Sequence, residues 1–160
     1  MEWRDINGSA YYQVSNRGLI RNKRTGRILR TTSNGKGVLK VILSEDGDHV
    51  SKSVARLVGE EFVDGYEPGF VIFYVDGSSE NVDASNLLWK PRWFAQEWSY
   101  QLRRNRPMRP WPIRMNSTGE VYENSLECAL ATLAIEKYIV LACIQGDTIY
   151  NKSTYDWIKK

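Results

Sequence analysis

The sequence predicts an α+β fold: a small antiparallel sheet, a core of helix and strand, an extended linker and a small C-terminal module of two helices. Three observations carry this. Short β-rich runs punctuated by Asn16-Arg17-Gly18 and Arg24-Thr25-Gly26 turns fill residues 2–43. Val54, Leu57, Val58 and Phe62 recur at helical spacing, and the apolar run Phe70 to Val75 follows, ending at Asp76-Gly77. Pro107, Pro110 and Pro112 forbid a helix and favour a stiff, extended segment.

Taken in order, Tyr12 to Ser15 reads as a strand, Leu19 to Arg21 as its return, and Arg27-Ile28-Leu29 as a further strand. Val38 to Leu43 is a β-rich run ending at an Asp46-Gly47-Asp48 hairpin turn. A helix begins between Val50 and Val54, capped by Ser51 or Ser53, and runs to Phe62. Gly65, Pro68 and Gly69 make residues 63–69 a loop, and a second helix is expected to start near Ser85. The stretch 54–89 organises the fold. Trp93, Phe94, Trp98 and Leu102 anchor a short helix ahead of the prolines. Ile113 to Met115 and Val121-Tyr122 form a small hairpin. Ser125 is expected to cap a helix whose core face is Leu126, Ala129, Leu130 and Leu133. A second helix, Glu136 to Ile144, ends at Gly146, and Tyr150 to Ile158 closes the module as a strand. Two short helices with a tight connection fit a helix-turn-helix or a plain helical hairpin. The expected boundaries are 1–92, a linker over 93–112, and 113–160.

The net charge of +3 favours no partner, but its distribution is uneven. Residues 1–36 carry +6, 37–89 carry −7, 90–115 carry +6 and 116–160 carry −2. Two basic blocks around an acidic one fit a polyanion partner. Arg21, Lys23, Arg24, Arg27 and Arg30 gather on one hairpin, which is either a solvated edge kept from aggregating by charge or a phosphate-contacting surface. Arg103, Arg104, Arg106 and Arg109 run into the prolines, as a solvated linker or as an arm lying along DNA. Cys128 and Cys143 read as buried free thiols of a reducing cytoplasm, and no apolar run is long enough for a membrane span.

Several stretches resemble a known family. Glu2-Trp3-Arg4-Asp5-Ile6, with Tyr11 to Gly18 and Ile20-Arg21, is similar to the N-terminal modular motif of HNH homing endonucleases. Gly37 to Leu43, Val54 to Val58 with Phe62, Phe73 to Gly77 and Asn86 to Trp89 resemble the nuclease domain that follows it. Residues 113–158 resemble its helix-turn-helix module. The resemblance implies a ββα-metal core of the His-Me finger type.

The same resemblance places Ala55 where the family carries His, and Phe73 and Tyr74 where it carries a metal ligand and the catalytic His. Phe offers no ligand, and a phenol with a pKa near 10 is a poor base at neutral pH. His49, the only histidine, matches no catalytic position. On the second C-terminal helix, Lys137 and Tyr138 remain as candidate DNA contacts. Leu141 and Ala142 offer only apolar contact to a thymine methyl, and Glu136 would repel phosphates. The expectation is therefore a protein that is no enzyme, holds no metal or cofactor, and binds double-stranded DNA, as a phage regulator in a bacterial cytoplasm. The alternatives are a module binding a host or phage protein, and an HNH endonuclease with rearranged ligands drawn from Asp76, Asn81, Asn86 and His49.

Overall fold

The computed structural model describes residues 1–35, 37–45, 47–104, 106–146 and 153–158. The chain divides into two compact units, Met1–Ala95 and Gln96–Lys160. Both are built from small antiparallel sheets and helices, an α+β architecture with four α-helices among the described residues.

In the first unit, β1 (Trp3–Asp5), β2 (Tyr12–Ser15) and β3 (Ile20–Asn22) form one meander. Val14 and Ile20 pair directly and are fully buried. The stretch Arg27 to Leu29, expected as a strand, makes only an isolated bridge between Arg21 and Ile28. A second sheet joins β4 (Thr32–Ser33), β5 (Leu39–Glu45) and β6 (Asp48–Ser53). Of the hairpin turn between β5 and β6, Asp46 lies outside the described residues. Strand β6 extends to Ser53, so helix α1 (Val54–Phe62) starts later than the earliest expected position. Ser53 occupies the N-cap, yet its side chain makes no capping bond.

Gly18 shows how closely these elements approach. It sits at φ +80°, and an added Cβ would lie 2.2 Å from Val82 Cγ2. Left-handed strain and overpacking together should make Gly18→Ala destabilising by about 2–4 kcal/mol. A thermal unfolding midpoint equal to wild type would contradict this.

The unit is completed by β7 (Phe70–Tyr74) paired with β8 (Leu87–Pro91). The helix expected from Ser85 is instead a single 3-10 turn, Ala84–Asn86, followed at once by that strand. Leu87 and Trp89 alternate inward with half-buried neighbours, the period of a strand rather than a helix. Trp89 Nε1–H donates to the carbonyls of Gly59 (3.2 Å) and Val63 (3.1 Å) at the end of α1. The backbone comes this near because residue 59 lacks a side chain: a Cβ there would lie 2.4 Å from Ile72 Cδ1. Ile6, Val14, Ile20, Val41, Leu57 and Leu87 are among the residues of the core.

Helix α2 (Arg92–Arg104) begins in the first unit and continues in the second. It is longer than the anchor expected, because the first proline comes only at position 107. The second unit then adds β9 (Ile113–Met115), β10 (Val121–Tyr122), α3 (Ser125–Ala131), α4 (Glu136–Gln145) and β11 (Tyr155–Trp157), with β9 central in its sheet. The expected closing strand is present at Tyr155–Trp157, while positions 150–152 lie outside the described residues. Asn124, not Ser125, caps α3, accepting from the amides of Leu126 and Glu127. This moves the helix's inner face to Ser125, Cys128 and Ala129, leaving Leu130 and Leu133 exposed. Leu133, at φ 50°, turns the chain between the two helices, and Gly146 ends α4 in the left-handed region. Burial pushes both free thiols, Cys128 and Cys143, up to about 12, so neither is a ready nucleophile.

Candidate nucleic-acid interface and the Asp76 turn

Between β7 and β8 the chain turns on a polar knot. Asn86, buried, accepts the Asp76 amide on Oδ1 (2.9 Å) and donates through Nδ2 to Asp76 Oδ1 and the Asn81 carbonyl, both at 2.9 Å. Asn81 Nδ2 donates to Asp76 Oδ2 (2.7 Å), and the Ser78 amide donates to Oδ1 (2.8 Å). Asn86 thus pins the loop and starts no helix. Desolvation pushes the Asp76 carboxyl up, but the bonds from Asn81, Ser78 and Asn86 outweigh it and hold the group below its ordinary value of 3.8. A carboxyl depressed on folding stabilises above its unfolded pKa, and that contribution is lost as pH falls through the folded one. As pH falls below about 4, the unfolding midpoint of wild type should therefore drop more than that of Asp76→Asn, and parallel curves would contradict it.

The three positions singled out by resemblance lie in the first unit. Ala55 is buried on α1. Phe73 is buried and packs edge-to-face on Phe94 at 5.5 Å between centroids. Tyr74 is half-buried, and desolvation raises its phenol above 10. The carboxylate and amides of the knot do not fit a preformed divalent site. Magnesium or calcium takes six or more oxygen ligands. Here both Asp76 oxygens and Asn86 Oδ1 already accept hydrogen bonds, and no three His, Cys, Asp or Glu side chains among the described residues group for a metal. His49 lies on β6 with Nδ1 2.7 Å from Ser44 Oγ.

The N-terminal cations divide into two sets. Arg21 donates through Nε (2.9 Å) and Nη2 (2.7 Å) to Gln13 Oε1, and its guanidinium stands 4.2 Å from the centre of the Trp3 ring. Gln13 in turn donates to Asp5, and Lys23 pairs with Asp5 at 2.9 Å. These residues form a row fixed across the meander. Arg24, Arg27 and Arg30 are exposed.

The C-terminal cations are sorted as sharply. Arg103 and Arg104 lie in the last turn of α2. Arg103 Nε donates to the Ser99 carbonyl (3.2 Å), and Arg104 forms an ion pair with buried Glu136. Lys137 forms an ion pair with Glu97 and lies 5.0 Å from the Tyr138 ring centre, so both expected readers on α4 are engaged inside the unit. Glu136, expected to face phosphates, is 1% exposed and repels nothing outside.

Residues 106–112 are no free linker. The Met108 amide donates to Glu136 Oε1 (2.6 Å), the Arg109 amide to Ser125 Oγ (2.9 Å), and the Ile158 amide to the Pro112 carbonyl (2.9 Å). The segment is a strap tied onto α3, α4 and the end of β11, with Arg106 and Arg109 exposed on it. Arg109 lies 5.8 Å from the Trp111 ring centre, and Trp111 packs perpendicular to Trp157. Among the described residues, ion pairs engage Arg4, Arg17, Lys23, Arg56, Arg104 and Lys137, but not Arg24, Arg27, Arg30, Arg106 or Arg109. Gln13, Trp3, Ser125 and Glu136 position these cations, and the sequence reading missed all four in that role. The one local signal was a carboxylate set directly after Ala134-Ile135.

Comparison with known proteins gives the fold a lineage. Residues 1–44 match the NUMOD4 motif. The chain is 37% identical over 90 residues to DNA endonuclease I-HmuI of Bacillus phage SP01, covering 56% of this chain and 52% of that protein. It is 32% identical over 88 residues to the uncharacterized HNH endonuclease L245 of Acanthamoeba polyphaga mimivirus, covering 55% of this chain and 26% of that protein. The chain thus spans about half the length of the first relative and about a quarter of the second. A solved structure described as "DNA binding and cleavage by the HNH homing endonuclease I-HmuI" matches with a TM-score of 0.60 at 23% identity, covering 100% of this chain and 99% of that one, a likeness of fold. The expectation that the chain is no enzyme is overturned by this kinship, since both relatives are named endonucleases. The side chains at positions 55, 73 and 74 do not establish a loss of activity. No helix among the described residues is long and apolar enough to cross a membrane. Residues 1–44 thus carry the NUMOD4 motif, and the chain is similar to HNH homing endonucleases, in sequence over about half its length and in its α+β fold.

Proposed function

We propose that this chain binds double-stranded DNA through its unpaired arginines. The observation that carries the reading is the strap of the second unit, which holds Arg106 and Arg109 exposed on a tied backbone with no carboxylate against them among the described residues. Arg24, Arg27 and Arg30 add a second basic surface on the first unit. Such cations take phosphates by releasing condensed counterions, so affinity should fall steeply with salt. Backbone contacts of this kind fix register, while sequence choice needs groups that reach base edges. The test is fluorescence anisotropy on a mixed-sequence duplex across a salt series. A log–log slope of about −3 to −5 is expected for roughly four or five phosphates neutralised, and no complex at low salt ends the proposal.

Cleavage of the bound duplex is a second reading, favoured by the names of the relatives. A plasmid-nicking assay over a magnesium and manganese series decides it. Metal-dependent nicking supports this reading, and intact plasmid with every metal removes it.

A further inference from the structure

The second unit buries a carboxylate that touches no outside partner. Glu136 opens α4, where the helix dipole favours a negative charge. Its Oε1 accepts from the Met108 amide and the Ser125 hydroxyl, and its carboxylate forms an ion pair with Arg104. Its own amide donates to Gln101 Oε1 at 2.9 Å, and Gln101 Nε2 donates to the Ala134 carbonyl at 3.1 Å. Every bond of this network lies within the second unit.

What the network grips is the strap. Prolines remove the backbone donor at 107, 110 and 112, leaving N–H groups only at Met108, Arg109 and Trp111 between them. The first two of those are bound by Glu136 and Ser125. Proline fixes φ at three positions, and the carboxylate and hydroxyl hold two of the three remaining donors, so the backbone carrying Arg106 and Arg109 is restrained before any ligand arrives. A cation presented this way loses less freedom on binding than one on a loose arm.

We propose that Glu136 and Ser125 are positioning residues for DNA binding, which hold Arg106 and Arg109 in phosphate-contacting order. The proposal rests on the DNA-binding reading above. Ser125→Ala and Arg106→Ala/Arg109→Ala are compared with wild type by thermal melting, by amide hydrogen exchange at Met108 and Arg109, and by duplex affinity across salt. In wild type both amides are expected to be protected, with and without DNA. Ser125→Ala is expected to stay folded, to exchange both amides faster, to bind DNA about tenfold more weakly, and to lose up to about 2 from the salt slope. Added to the arginine double variant, it should weaken binding no further, because both changes remove the same contacts. Retained wild-type affinity and slope in Ser125→Ala with its amides exposed overturns the proposal. So do unprotected Met108 and Arg109 amides in free wild type, a result that holds even if the variant fails to fold. Wild type that binds no duplex at low salt ends the DNA-binding reading and this proposal with it, whereas normal binding by the strap-loosened variant ends only the latter.

Discussion

Reversing the charge at both strap positions, Arg106→Glu with Arg109→Glu, is expected to weaken duplex binding by about 100-fold or more at moderate salt, and to flatten the salt dependence. Each phosphate neutralised contributes close to one unit of slope, and a carboxylate facing a phosphate adds repulsion to the lost attraction. The two side chains are exposed and take no part in the ties that hold the strap, which are made by the amides of Met108 and Arg109. The double variant should therefore keep the wild-type melting temperature, which separates an interface effect from unfolding. Reversal at Arg104 is the control with the opposite outcome: its partner is the buried Glu136, so Arg104→Glu should destabilise the fold rather than merely loosen DNA. Anisotropy titrations at several salt concentrations read both effects. Unchanged affinity and slope in the double variant would remove the strap from the interface.

Glu136→Ala is expected to cost about 3–5 kcal/mol, the usual consequence of deleting one partner of a buried ion pair. Arg104 loses its ion-pair partner, the Met108 amide its acceptor, and the Ser125 hydroxyl one of its two. A unit of this size has only about 3–5 kcal/mol from its own core, so the change should bring it to the edge of unfolding at room temperature. Hydrogen exchange at Ile113 and Ile139, both fully buried in that unit, would reveal the loss. Protection equal to wild type would show that Glu136 is dispensable.

Local pattern was enough for those elements whose causes are local. The strand Tyr12–Ser15, the helix ending at Phe62, the hairpin strands Ile113–Met115 and Val121–Tyr122 and the Gly146 terminus all stand where turn chemistry and periodicity put them. Misreadings arose where a side chain works at long range. The helix expected near Ser85 does not form, because the Asn86 amide is spent on Asp76 and the chain goes directly into β8. Ser125 resembles an N-cap, but Asn124 does that work and Ser125 is free to tie Arg109. The basic stretch resembled a linker because its anchors, Ser125 and Glu136, lie 16 and 28 residues further on. Among the cations it marked, the sequence could not separate Arg21, Lys23, Arg104 and Lys137, which are engaged within the fold, from the exposed Arg106 and Arg109. The inference from three residue identities to absent enzymology failed for a different reason, since kinship reports on a whole scaffold and not on three side chains.

The glycine within α1 has a consequence for how this sequence can diverge. A helix interior ordinarily prefers alanine to glycine by about 1 kcal/mol, so glycine at position 59 is locally unfavourable and is kept by its neighbours. Those neighbours are Ile72 Cδ1, 2.4 Å from where a Cβ would stand, and the Trp89 ring at 3.1 Å. Drift at this place is therefore expected to be concerted. A relative with alanine at 59 should carry a shorter residue than isoleucine at 72, and a pair of exchanges, Gly59→Ala with Ile72→Val, should be better tolerated than the first alone.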